Sequence, residues 1–183
     1  MVSCASVSDR PRAVLFDRDG TLVVDVPYNG DPAAVRPVAA AAPALARVRA
    51  AGVPVGVVSN QSGIARGLLT TEQVTAVNAR LDELLGPFAV IRWCPHGASD
   101  GCACRKPAPG MVLDAAATLG LAPRDVAVVG DIAADVGAAD AAGARAVLVP
   151  TAATRAEEVV DAAARGIVAD DLLAAVELLG FGP

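Results

Sequence analysis

Short apolar runs alternate along this chain with longer, alanine-rich stretches whose apolar residues recur every three or four positions. This is the pattern of strand and helix units wound around a parallel sheet. The runs are AVLF (13–16), VPVGVVS (53–59), FAVIRW (88–93), VAVVG (126–130) and ARAVLV (144–149). They are nearly continuous rather than alternating, as strands covered on both faces are. The prediction is an α/β fold, a doubly wound, Rossmann-like parallel sheet with helices on both faces. Helices are predicted over 43–51, stopped by Gly52, and over 70–85, opened by Thr70 and Gln73 at capping-box spacing and stopped by Gly86-Pro87. Two more are predicted over about 109–119 before Gly120 and about 133–142 before Gly143. The tail, TRAEEVVDAAARG and DDLLAAVELLG, reads as helical packing at the edge of the sheet. No internal repeat or linker divides the chain, and 1–183 reads as a single domain.

Open α/β sheets bind ligands beyond the carboxyl ends of their strands. The segments expected there are polar: DRDGT after the first strand, SNQSG after the second, CPHGASDGCACRKP after the third and GDIAAD after the fourth. Asp17 and Asp19 are two residues apart, a spacing that points both side chains the same way while the chain is extended. Gly20 then allows the backbone to depart sharply. Two neighbouring carboxylates repel and need a cation to stay ionised, and Asp131, at the end of another strand, is placed to complete an oxygen site for Mg²⁺.

Composition narrows the function. Hydrophobic residues make up 54% of the chain and aromatics 3%, so the core must be built from Ala, Val and Leu. The net charge of −5 and the absence of any basic block exclude the electrostatic footprint of a nucleic-acid binder. No apolar run reaches the roughly 18 residues of a membrane span, and the N-terminus lacks a signal-type apolar core. The expectation is a soluble, cytoplasmic monomer acting on a small molecule. Of fifteen basic residues only Lys106 is a lysine, and it falls in the segment that also holds the one histidine and three of the four cysteines.

Those residues form the spacing C-x-H-x5-C-x-C, as Cys94, His96, Cys102 and Cys104. Three thiolates and an imidazole are a ligand set for a closed, tetrahedral structural Zn²⁺. Such a site has no vacant position for substrate, so its expected task is to fix the loop that carries Arg105 and Lys106. Cys4 remains as a free thiol without a task.

Together the segments DRDGTL, SNQSGIARG, CPH, CACRKPAPGM and VGD resemble the haloacid-dehalogenase-superfamily phosphatases over about residues 12–150. Within that superfamily they are similar to the branch of the heptose-bisphosphate phosphatases and histidinol-phosphatase domains. The resemblance implies a phosphomonoesterase in which Asp17 is the nucleophile and forms an aspartyl-phosphate, and Asp19 is the general acid and base. It implies Mg²⁺ on the Asp17 and Asp131 carboxylates and the Asp19 main-chain carbonyl. Lys106 then stabilises charge on the transferring phosphoryl group, with Ser59 and Asn60 hydrogen-bonding its oxygens.

By the same resemblance Arg105 reaches substrate phosphate; the other reading is a solvated surface arginine. Asp135 is expected either to support the metal site or Lys106, or to be a solvated helix residue. An aspartate at position 19 favours a hydrolase or mutase, and the intervals between the polar clusters are too short for a folded cap domain. The implied substrate is a small sugar phosphate, foremost the C7 phosphate of D-glycero-D-manno-heptose 1,7-bisphosphate, with histidinol phosphate as the alternative. A third reading is an inactive zinc-stabilised binding domain. Two departures from the branch bear on substrate choice: the short interval between His96 and Cys102, and Ile132 where a basic residue often follows VGD.

Overall fold

A computed structural model of the chain describes residues 10–182, so Cys4 lies outside the described residues. Five parallel strands form one sheet in the order β3-β2-β1-β4-β5, with β1 at Ala13–Phe16, β2 at Val55–Asn60, β3 at Val90–Cys94, β4 at Val126–Gly130 and β5 at Arg145–Leu148. The order reverses at β1, which pairs with β2 on one side and with β4 on the other. Their carboxyl ends therefore flank the crevice where an open α/β sheet binds its ligand.

Six helices cover the sheet: α1 (Ala41–Ala50), α2 (Thr71–Leu85), α3 (Gly110–Thr118), α4 (Ala133–Ala142), α5 (Ala156–Ala164) and α6 (Leu172–Leu178). Strand side chains alternate between two apolar layers. Val14, Phe16, Val55, Val57 and Val129 pack with Leu45 and Val48 of α1, Val77 and Leu81 of α2, and Leu172 and Val176 of α6. Leu15, Val58, Val90, Val128 and Leu148 pack on the other face with Met111 and Val112 of α3, Ala138 and Ala139 of α4, and Ala162 of α5. Small side chains let these helices lie close to the strands, which is how a chain poor in aromatics fills its interior.

Each strand and helix read from the sequence is present, with shifts of one or two residues at the ends. Thr70 caps α2 with the expected reciprocal box: its hydroxyl accepts from the Gln73 main-chain N–H while the Gln73 side chain accepts from Thr70 N–H. Helix α1 begins two residues before Pro43, which sits in the first turn where its missing N–H goes unused. The tail is placed differently from a simple edge cover. Its two helices lie on opposite faces, and the turn between them pairs Val168 with Leu148 to lengthen the sheet by one bridge. Among the described residues there is no folded cap domain, and no helix is long and apolar enough to cross a membrane.

Candidate active site

The carboxyl ends of β1, β2 and β4 and the loop after β3 meet around one buried lysine. Lys106, 3% exposed, donates from Nζ to Asp17 Oδ1 at 2.6 Å, to Asp135 Oδ1 at 2.5 Å and to the Val58 carbonyl at 2.8 Å. All three protons of the ammonium are thereby used. Burial opposes its charged form, and the Asp135 and Asp17 carboxylates more than offset this, holding it protonated above the ordinary lysine range.

Asp17 follows β1 directly, and its main-chain N–H donates to Val129 of β4 at 2.8 Å. Asp131 follows β4 and accepts from the Thr151 hydroxyl at 3.2 Å, while Thr154 holds its main-chain carbonyl at 2.6 Å. Two glycines permit this closeness. Gly20 has φ +82, and a Cβ on it would meet Asp131 Oδ2 at 2.5 Å; a Cβ on Gly130 would meet the Asp135 carboxyl carbon at 2.2 Å.

Asp17, Asp131 and Asp135 place one oxygen each within 4.8 Å of one another. Three carboxylates face one lysine, so the cluster lacks positive charge, and its titration behaviour reflects that. Burial pushes Asp17 up to about 8 despite Lys106, with Asp135 and Asp19 adding to the rise. Burial, then Asp135, pushes Asp131 up to about 6. Both Asp135 oxygens are occupied, one by Lys106 and the other by the Ile132 main-chain N–H at 3.2 Å. Asp17 has one oxygen on Lys106 and Asp131 one on Thr151, so each has a second oxygen that, once deprotonated, is the hard donor that suits Mg²⁺.

The Asp19 side chain stands apart from this cluster. Its carboxylate is held by the Arg18 guanidinium, with Nη2 2.9 Å from Oδ2, and by Gln61 Nε2 at 2.8 Å. The same Gln61 nitrogen donates to Ser59 Oγ at 2.8 Å. Asn60 is placed otherwise than expected: both ends of its side-chain amide are taken by the main chain of Lys106, each at 3.0 Å. It holds the lysine loop with one amide proton and the amide oxygen, and its second amide proton is not used in that pair. Two clefts open at this rim. One, of 280 Å³, is lined by Arg18, Asp19, Asn60 and Gln61; the other, of 480 Å³, by Arg105, Lys106 and the loop from Gly97.

In that loop Cys94, His96, Cys102 and Cys104 converge. Cys94 ends β3, and the sulfur and His96 Nδ1 atoms make contacts of 3.1 to 3.7 Å. Tetrahedral ligands about 2.3 Å from a zinc ion lie about 3.8 Å apart, so the ligand set is gathered at close to zinc-binding separation. Arg105 donates to the His96 carbonyl at 3.2 Å, tying the cluster to the residue before the lysine.

The chain is similar to known proteins. A family model described as HAD-hydrolase-like matches residues 103–175. The chain is 39% identical over 143 residues to the D-glycero-beta-D-manno-heptose-1,7-bisphosphate 7-phosphatase of Pseudomonas aeruginosa, covering 75% of this chain and 80% of that one. The enzyme of the same name from Rhodopseudomonas palustris is 41% identical over 150 residues, 76% of this chain and 83% of the relative. The chain belongs to the haloacid-dehalogenase-like phosphatase family. A solved member, the D,D-heptose 1,7-bisphosphate phosphatase of B. bronchiseptica complexed with magnesium and phosphate, superposes with a TM-score of 0.77 at 34% identity, over 91% of this chain and 97% of that one.

In this phosphatase the structure brings Asp17, Asp131 and Lys106 together and sets Ser59 beside Asp19 through Gln61. Asp135, left open between two readings, is 1% exposed and bound to Lys106. Sequence reasoning missed Arg18, Gln61, Thr151 and Thr154, and also Asn78 of α2, whose Oδ1 accepts from Arg18 Nη1 at 2.7 Å. Arg18 and Gln61 lie inside the quoted motifs, where the residue type was a signal; Thr151 and Thr154, just beyond β5, carried only their position at a strand end.

Proposed function

We propose that this phosphatase removes the C7 phosphate of D-glycero-D-manno-heptose 1,7-bisphosphate, the reaction named for its relatives, through an aspartyl-phosphate on Asp17. The observation that carries the reading is Lys106, buried between Asp17 and Asp135 at the strand ends with carboxylates in excess around it. Asp17 attacks phosphorus as the bond to the sugar oxygen breaks, and Asp19, which enters this step protonated, gives that oxygen its proton and is left as a carboxylate. Asp19 then takes a proton from the water that displaces Asp17, releasing phosphate and restoring the enzyme.

Lys106 neutralises phosphoryl oxygens, and the Ser59 hydroxyl and the main chain near Asn60 donate to them. Arg105, on the rim of the larger cleft, meets the substrate's outer phosphate oxygens. Mg²⁺, held by the carboxylates of Asp17 and Asp131 and the main-chain carbonyl of Asp19, supplies the positive charge that lets a carboxylate approach a phosphate dianion. Cys94, His96, Cys102 and Cys104 hold a structural Zn²⁺. The chain works as one capless domain and as a monomer, with its site open to water.

A panel of both heptose 1,7-bisphosphate anomers, histidinol phosphate and fructose 1,6-bisphosphate tests the reading. The expected result is the highest kcat/KM with a heptose bisphosphate and release of one phosphate per molecule. A preference for histidinol phosphate would transfer the assignment to that substrate.

A further inference from the structure

The roles above leave the two polar side chains nearest Asp19 without a task. Arg18 is 1% exposed, and a guanidinium taken so completely out of water needs both a counter-charge and acceptors for its protons. It finds them in Asp19, with Nε 3.1 Å from each carboxylate oxygen and Nη2 2.9 Å from Oδ2, and in Asn78, whose Oδ1 accepts from Nη1 at 2.7 Å. Asn78 belongs to α2, so the fork is anchored to the body of the fold.

Gln61 adds a third donor to the same carboxylate. A side-chain amide nitrogen carries two protons. Here one goes to Asp19 Oδ2 and the other to Ser59 Oγ, both at 2.8 Å. Because Ser59 Oγ accepts this bond, its own hydroxyl proton is left to point at another acceptor. A single planar group can satisfy both partners only when the serine and the carboxylate stand at one separation. The position of the hydroxyl at the end of β2 and the position of the carboxylate after β1 are thus set together.

We propose that Gln61, backed by Arg18, is a positioning residue that ties the phosphate-binding hydroxyl of Ser59 to the proton-transferring carboxylate of Asp19. The inference rests on the assignment of Asp19 as acid and base. A phosphoryl group docked on Ser59 then meets its proton donor already aligned, while Arg18 keeps the carboxylate from turning away into the 280 Å³ cleft.

The test is Gln61→Leu, which keeps most of the volume and removes both donors, assayed as kcat/KM with the sugar phosphate and with p-nitrophenyl phosphate. This ratio covers formation of the aspartyl-phosphate, where proton donation matters for a sugar alkoxide and little for nitrophenolate. The expected loss is about ten- to a hundredfold for the sugar phosphate and less than about threefold for the aryl phosphate, with KM changing far less than kcat. Gln61→Glu, close in shape but an acceptor facing Asp19, should lose at least as much, and Arg18→Lys should show the same substrate dependence in weaker form. Equal losses with the two substrates, or no loss, overturn the inference. Asp19→Asn, run alongside, separates the failures. If it shows the leaving-group dependence and Gln61→Leu does not, only the positioning role falls; if Asp19→Asn shows none, the acid assignment falls and this inference with it.

Discussion

Asn60 and Lys106 are joined by two reciprocal bonds, the asparagine Nδ2 donating to the lysine carbonyl and its Oδ1 accepting from the lysine N–H, each at 3.0 Å. The last residue of β2 thereby fixes the backbone of a loop that has no helix or strand of its own at that point. Asn60→Asp should break half of the pair, because a carboxylate cannot donate to the carbonyl. We expect kcat to fall by about tenfold or more, with Mg²⁺ affinity changing far less, since the broken bond lies on the main chain of Lys106 and only its side chain reaches Asp17. Metal titration and steady-state kinetics on one preparation check it; a loss confined to KM would return Asn60 to direct phosphate binding.

Asp135→Asn tests the other support of the lysine. Removing one of the two carboxylates that hold Lys106 leaves its buried ammonium with Asp17 alone and removes one charge-assisted hydrogen bond, worth about 1.5–3 kcal/mol. The variant should therefore unfold at lower denaturant, and the loss should be smaller in Asp135→Asn/Lys106→Met, where no buried ammonium is left over. Additive losses in this cycle would show that Asp135 acts elsewhere.

Protonation links stability to magnesium. Asp17 rises from an ordinary 3.8 to about 8 and Asp131 to about 6, both through burial first, so the folded, metal-free protein holds protons that the unfolded chain has released. Their contribution is complete below pH 3.8 and is lost as pH rises through 6 and 8. Mg²⁺ binds the deprotonated carboxylates, so its stabilising effect should grow with pH. Melting curves with and without Mg²⁺ at about pH 5.5 and pH 8 should show a clearly larger shift at the higher pH. A shift that is equal or reversed would exclude these carboxylates as the ligands.

Purified protein should carry close to one zinc per chain, retained through a moderate EDTA wash that strips magnesium, because thiolates and imidazole suit zinc and oxygens suit magnesium. Cys102→Ser or Cys104→Ser should release the metal and lower activity while far-ultraviolet circular dichroism stays unchanged. Cys102 and Cys104 are only partly buried, packed against the apolar layer that contains Cys94, so a serine at either leaves the buried residues of that layer in place. Full activity in a zinc-free serine variant would leave the loop without need of the metal.

The strands were legible because each is a short, continuous apolar run, and the helices because period and stop residues agree. Asp17, Lys106 and Asp131 were legible as candidates because each directly follows such a run or stands alone in composition. Arg18 was not. The middle residue of an extended D-x-D points away from its neighbours, and only the length and fork of an arginine let it fold back on Asp19. Asn60 looked like a phosphate donor because an amide at a strand end can serve either purpose, and the choice depends on where the loop carrying Lys106 passes. Thr151 and Thr154 follow β5, whose distance from β1 in the sheet is set only once β4 lies between them.

The reversal of strand order at β1 also carries an expectation for the order of events in folding. Asp17 follows β1, Asp131 follows β4, and Lys106 reaches them from the loop after β3. Chain emerging up to α2 can pair β1 with β2 and bury much of one layer, yet it holds no charge partner for Asp17. The centre is assembled only when β4 docks against the free edge of β1, a pairing between distant parts of the sequence and therefore a late one. In refolding, recovery of turnover should consequently lag recovery of helical signal, and a variant that slows β4 docking should lengthen that lag without changing the activity finally reached.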